Sequence, residues 1–244
     1  EEVFKPQGVE VQWQFFKGAG PAVNEALANR QLDFVYLGDL AAIIGKANGL
    51  PTRLLLGSRG SESYLAVTKA SGIKTLADLK GKRVAVYRGT ADQLAFDRAL
   101  QTAGRQNTTQ AGFLGTQTFL DAWPQATQQI VNVLVKNAAE ISDPANRDAW
   151  SAEMAQQSQI PQALFLEELQ PQDLNFTTSP HIDPFLTASF SSSVGQAHSG
   201  RLIRSAFDVS QWVDGQFVEQ ALKSLRLENR WPQYDAKGLA KDAG

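Results

Sequence analysis

The chain has 244 residues, 43% of them apolar and 20% charged, a composition that folds as a globular protein rather than a disordered one. Its 23 basic and 25 acidic side chains are interleaved to a net charge of −2, so no basic face argues for nucleic acid and no polybasic run for an anionic membrane. Cysteine is absent, which removes thiol nucleophiles, thiolate metal sites and disulfides together, and no run of about 18 apolar residues is present to cross a bilayer.

The chain opens EEVFKPQG, without the basic and apolar regions of an export signal, so such a signal is expected to have been removed or never to have existed. Up to about residue 90, β-rich runs alternate with helical ones: VEVQWQFF (9–16), a helix at 21–30, LDFVYL (32–37), a helix at 39–48, TRLLLG (52–57), SYLAVT (63–68) and RVAVY (83–87). Strands that alternate with helices of about ten residues predict a parallel sheet wound with crossovers. From 114 onward the reading is almost wholly helical. Pro124 suits the first position of a helix, and Ile130, Val131, Leu134, Val135 and Ala138 have the spacing of one buried face. No internal repeat or low-complexity tract interrupts the pattern, and the length accommodates one large domain or two lobes.

The strand-to-helix turns carry the chemistry. Lys17-Gly18-Ala19-Gly20, Gly38-Asp39-Leu40 and Gly89-Thr90-Ala91 each place glycine where an apolar run gives way to a helix. In open parallel sheets such corners aim helix N–H groups at ligands beyond the strand ends; a tight turn explains any one of them equally well. After the strand at 52–57, Ser58, Arg59, Ser61 and Glu62 offer a guanidinium fork for an oxyanion, against the commoner case of a solvated loop arginine. Asp39 either caps its helix or, facing a cleft, holds an ammonium group.

Catalytic equipment is missing. Neither GxGxxG, GxxxxGK[ST], GxSxG nor HExxH occurs. His181 and His198 lack a partner at motif spacing, and Glu167 and Glu168 are adjacent, so their side chains diverge on a helix. The expectation is a binding protein, not an enzyme, without cofactor or metal; a pure interaction module ranks last.

Three stretches then carry a family resemblance: FFKGAGPAVNEALANRQLDFVYLGDLAAIIGKANG (15–49), LAVTKASGIKTLADLKGKRVAVYRGTADQLAFDRALQTAG (65–104) and RLIRSAFDVSQWVDGQFVEQALKSLRLENRWPQYD (201–235). Together they resemble the solute-binding proteins of ABC importers for aliphatic sulfonates, whose relatives bind taurine and nitrate. The resemblance implies an α/β fold of the type II periplasmic-binding-protein kind, with two lobes, parallel-rich sheets, a cleft between them and a helical C-terminal half. Lobe 1 would be 1–68 plus 112–244 and lobe 2 would be 69–111, with crossings near 65–69 and 111–114.

By the same resemblance, a small oxyanion meets Lys17, Gly18, Ala19, Gly20, Gly38, Asp39, Leu40, Ser58, Arg59, Ser61 and Glu62 from the first lobe. Gly89, Thr90 and Ala91 meet it from the second, and Phe15, Phe16 and Leu40 wall an organic tail. The implied partners are that anion and a membrane permease, and the implied setting is the periplasm or a lipid-anchored outer position, as a monomer. The alternatives are taurine, nitrate or another small anion, or an enzyme of the thiamine-pyrimidine-synthase-like fold, which the absence of cysteine disfavours. The chain departs from the family ahead of Glu1 and between Gly104 and Phe113, where strands and helices are missing. A second lobe of some 40 residues cannot bury its own core, so further chain is expected at both places, with an intact mass well above 26.6 kDa.

Overall fold

Val35 and Leu37 point inward and Tyr36 between them points out, and this period of two makes Phe34–Gly38 the first strand, β1, of a three-stranded sheet. The computed structural model describes residues 3–102, 108–170 and 172–240. β1 follows α1 (Ala19–Ala28) and leads into α2 (Asp39–Ala47), which returns the chain to β2 (Thr52–Glu62). After α3 (Ala91–Thr102) comes β3 (Thr108–Thr116), which lies between the other two in the order β1-β3-β2. β1 and β2 therefore run the same way, as a helical crossover requires, while both ladders that join them to β3 are antiparallel.

Helices cover both faces. Leu54 turns into one cluster with Leu40, Ile43, Leu114, Leu186, Phe190 and Trp212; its neighbour Leu55 turns into another with Val131, Val135, Phe217 and Leu222. After β3 come α4 (Gln117–Ala122), α5 (Pro124–Ile141), α6 (Arg147–Ser158), α7 (Gln162–Leu169), α8 (Leu174–Thr177), α9 (Pro184–Ser199) and α10 (Gln216–Leu225); the first cluster is roofed by α2 and α9, the second by α5 and α10. Pro124 and Pro184 each stand at the start of a helix, where the missing N–H is no loss. Asp183 caps α9 by accepting from the Leu186 N–H at 3.0 Å.

The runs at 9–16, 63–68 and 83–87 do not form strands. In the first, Trp13 is 68% and Phe15 92% exposed. Alternation alone does not make a strand; a paired neighbour does, and among the described residues the sheet ends at β1. β3 was not expected. Its glycines weaken the strand signal, yet packing demands them: a side-chain carbon at Gly112 would lie 2.5 Å from the Leu54 Cδ1. Of the stretch between Gly104 and Phe113 where further chain was expected, residues 105–107 lie outside the described residues and 108–112 belong to β3.

Arg59 is a fold residue, which corrects its expected place beside an oxyanion. It sits at the bulge of β2 with its side chain wholly buried, donating to Asp183 Oδ2 at 2.6 Å and to the His181 carbonyl at 2.6 Å. Phe176, Phe185 and Tyr234 surround the guanidinium at 5.7–5.9 Å from their ring centres. Asp183 also accepts the Tyr234 N–H at 3.0 Å. One ion pair thus ties β2, the start of α9 and the C-terminal segment.

Asp39 makes a second tie, between α2 and α9. Its carboxylate accepts from the Leu40 N–H at 2.7 Å and from Ser193 Oγ at 2.9 Å, and the residue is 1% exposed. Burial pushes its pKa up to about 6, against the lowering effect of those two hydrogen bonds.

Two measurements check these ties. Removing one partner of a buried pair strands the other charge, so Arg59→Leu and Asp183→Ala are each expected to lower urea-unfolding stability by about 3–5 kcal/mol. The double variant should lose far less than their sum. For Asp39 the folded pKa lies above the unfolded one, so its contribution is intact below about pH 4 and is lost as pH rises through 6. The stability gap between Asp39→Asn and the parent should therefore shift in favour of the variant by about 3 kcal/mol between pH 4 and pH 7.5.

Candidate functional site

Three helices begin at one place. α1 opens at Gly18-Ala19-Gly20, with Ala19 at φ +50°, a conformation a side chain rarely adopts. Gly20 lies against Ala41 of α2, and a side-chain carbon there would clash with the Ala41 Cβ and come 3.7 Å from the Gly89 carbonyl oxygen. At the start of α2, a carbon on Gly38 would lie 2.9 Å from the Ala91 Cβ of α3. Absence of a side chain at 20 and 38 is what allows α1, α2 and α3 to bring their first turns together. The first N–H groups of a helix have no partner within it, and each helix end carries about half a positive charge.

The expected corners are thus one corner, packed closely enough that Gly38 and Ala91 touch. Several of its groups are committed internally. Gly89 donates its N–H to Gln93 Oε1 at 2.8 Å, so that N–H is not bare, and Thr90 donates its hydroxyl to the Tyr87 carbonyl at 2.7 Å. Leu40 is fully buried in the core. Phe16 is half-buried and Phe15 projects outward. The second oxygen of Asp39 accepts from Ser193 Oγ.

Lys17 is exposed in the turn before α1. Ser58 shares a 2.5 Å hydrogen bond with the Tyr36 hydroxyl across the sheet face. Ser61 and Glu62 pair with Thr109 and Thr108 at the end of β2, and their side chains lie outside the described residues.

Sequence reasoning missed Tyr87. Its ring is more than half exposed, and its hydroxyl lies 3.9 Å from where a Gly18 side chain would begin, so it reaches from the segment before α3 to the start of α1. An aromatic residue at the end of an apolar run, just ahead of Arg88-Gly89-Thr90, was the available signal.

Two surface cavities lie away from this corner. One, of about 500 Å³, runs between Gln117, Asp121, Gln128 and Phe217; the other, of about 430 Å³, is lined by Asn48, His198, Arg201 and Arg204. Among the described residues no group of three or more His, Asp or Glu could hold a metal, and no helix is long and apolar enough to cross a membrane. His181 is buried, which holds its imidazole pKa below the ordinary value.

Known proteins agree with this architecture. A sulfonate-binding periplasmic protein of Methylobacillus flagellatus superposes over 100% of this chain and 89% of its own, with a TM-score of 0.74 at 24% identity. The alkanesulfonate-binding protein of Xanthomonas axonopodis, solved with MOPS bound, covers 88% of this chain and 90% of its own at a TM-score of 0.63 and 18% identity. At these identities the likeness shows the fold, a two-lobed α/β architecture.

In sequence, a Bacillus subtilis protein named for aliphatic sulfonate binding is 34% identical over 93 residues, and an Escherichia coli protein of the same description is 33% identical over 102. Those matches span 37% and 41% of this chain, and only 28% and 31% of the length of those relatives. The family described as ABC transporter, phosphonate, periplasmic substrate-binding protein matches residues 5–160, well over half of the chain. The chain belongs to this family of periplasmic substrate-binding proteins of ABC importers, which are binding proteins and not enzymes.

Proposed function

We propose that the protein binds a small organic oxyanion, an aliphatic sulfonate in the first place, at the shared start of α1, α2 and α3 and delivers it to a membrane permease. The observation that carries this reading is the contact of Gly20 with Ala41 and of Gly38 with Ala91, which gathers three helix N-termini. A sulfonate is a permanent monoanion with three acceptor oxygens. It asks for several N–H donors and no proton transfer, and neutral donors let it leave again. The names of the sequence relatives support the same ligand class.

Residues 69–102 and 108–111 are the described part of the second lobe in this reading, and α3 is the helix it contributes. Because the corner is packed, the anion enters when α3 moves off α2 as the lobes turn about the crossings near 65–69 and 111–114. Taurine fits less well than a plain alkanesulfonate, since the Asp39 carboxylate at the start of α2 is closed off by Ser193.

Calorimetry with ethanesulfonate tests the reading. Ligand at 100 times its Kd is expected to stabilise the protein by about 2.7 kcal/mol in a thermal melt. Gly38→Ala, whose new carbon meets Ala91 and holds α3 away, should weaken binding about tenfold with an unchanged circular dichroism spectrum, a loss of about 1.4 kcal/mol. No binding by the parent protein, or undiminished affinity in the variant, overturns it.

A further inference from the structure

The anion-binding reading leaves open how the site separates a sulfonate from the doubly charged oxyanions that ask for the same donors. We infer that the Asp39 carboxylate sets this choice, admitting a monoanion and rejecting a dianion such as sulfate or a fully ionised phosphonate.

The geometry carries the inference. Asp39 is the first residue of α2 and sits directly beside Gly38, where α2 meets α3. Its side chain takes up the Leu40 N–H, one of the donors α2 would otherwise present, and sets a full negative charge against the half positive charge of the helix end. An anion at the corner therefore meets α2 as a source of repulsion, and a second charge on that anion doubles it. Water does little to screen the repulsion, because the carboxylate is 1% exposed.

The surrounding elements do not cancel this charge. α3 presents Arg98 and Asp92, of opposite sign, and Arg98 is held in place by Gln196 of α9 at 3.0 Å. α9 offers the Ser193 hydroxyl, and its titratable residue, His198, lines a separate cavity. β1 and β3 carry no charged residue, and the charged residue of α1, Glu25, is exposed. Asp39, Arg98 and Asp92 thus sum to one net negative charge when Asp39 is ionised and to none when it is protonated, while Lys17 and Arg88, in the turns ahead of α1 and α3, are exposed to solvent. Since burial lifts the Asp39 pKa to about 6, the discrimination is present at pH 8 and fades by pH 5.

Methanesulfonate and sulfate make the test clean, as neither changes charge between pH 5 and 8. Titration calorimetry on the full chain should show sulfate disfavoured relative to methanesulfonate by about tenfold more at pH 8 than at pH 5, a difference of about 1.4 kcal/mol. In Asp39→Asn the ratio should be low and flat with pH. In Ser193→Ala, which keeps the carboxyl and removes a stabilising donor, the loss of selectivity should begin at a higher pH. His198→Gln should keep the parent profile, which separates Asp39 from the histidine of α9.

A flat ratio in the parent, or an unchanged profile in Asp39→Asn and Ser193→Ala, overturns the role of Asp39 while leaving anion binding intact. Failure of methanesulfonate to bind at either pH overturns the anion-binding reading and this inference with it.

Discussion

The close approach of three helix starts is the constraint on which the rest of the structure depends. Gly20 and Gly38 leave no room for a side chain, so α1, α2 and α3 either meet there or pack somewhere else. The placement of α2 follows from the sheet, since Leu40 and Ile43 are fully buried against β1, β3 and α9. The placement of the sheet follows in turn from the Arg59–Asp183 pair, which locks the far end of β2 to α9 and to the C-terminal segment. The corner is thus held by the two least negotiable kinds of contact, dense apolar packing and a buried ion pair.

What could be read in the sequence was local, and what could not was a matter of partners. Pro124 and the apolar spacing of α5 mark that helix without help from the rest of the chain. The runs at 9–16, 63–68 and 83–87 carry the same quality of local signal and fail as strands, because a strand exists only against a neighbour. β3 shows the converse. Its composition is poor for a strand, and it pairs on both edges because β1 and β2 leave a gap of its width.

The site divides along the same line. The glycine corners were legible because glycine before a helix is a local device, and they do converge. Arg59 was misread for want of Asp183, 124 residues away, whose carboxylate decides whether the guanidinium meets solvent or protein. Asp39 was open to reading as a cap or an ammonium partner; its carboxylate takes the Leu40 N–H at the start of α2, and Ser193, 154 residues away, closes off its other oxygen. Gly89 and Thr90 were within local reach, since Gln93 stands four residues on and Tyr87 three residues back, yet both bonds need a side chain or carbonyl to turn in a way that spacing alone does not specify.

A fold shared at 18–24% identity fixes the architecture and leaves the choice of ligand to local chemistry. Sulfonates and phosphonates have the same tetrahedral head, and helix N-termini offer both the same donors, so shape and hydrogen bonding discriminate poorly between them. Charge discriminates well, and it does so best from a position the solvent cannot reach. A carboxyl group kept at the start of α2 at the expense of stability near neutral pH is hard to explain by packing, because an amide would fill the same space and hold Leu40 and Ser193 without the charge. Its negative charge is the property an amide lacks, and the group that would feel it most is a second negative charge brought in on the ligand.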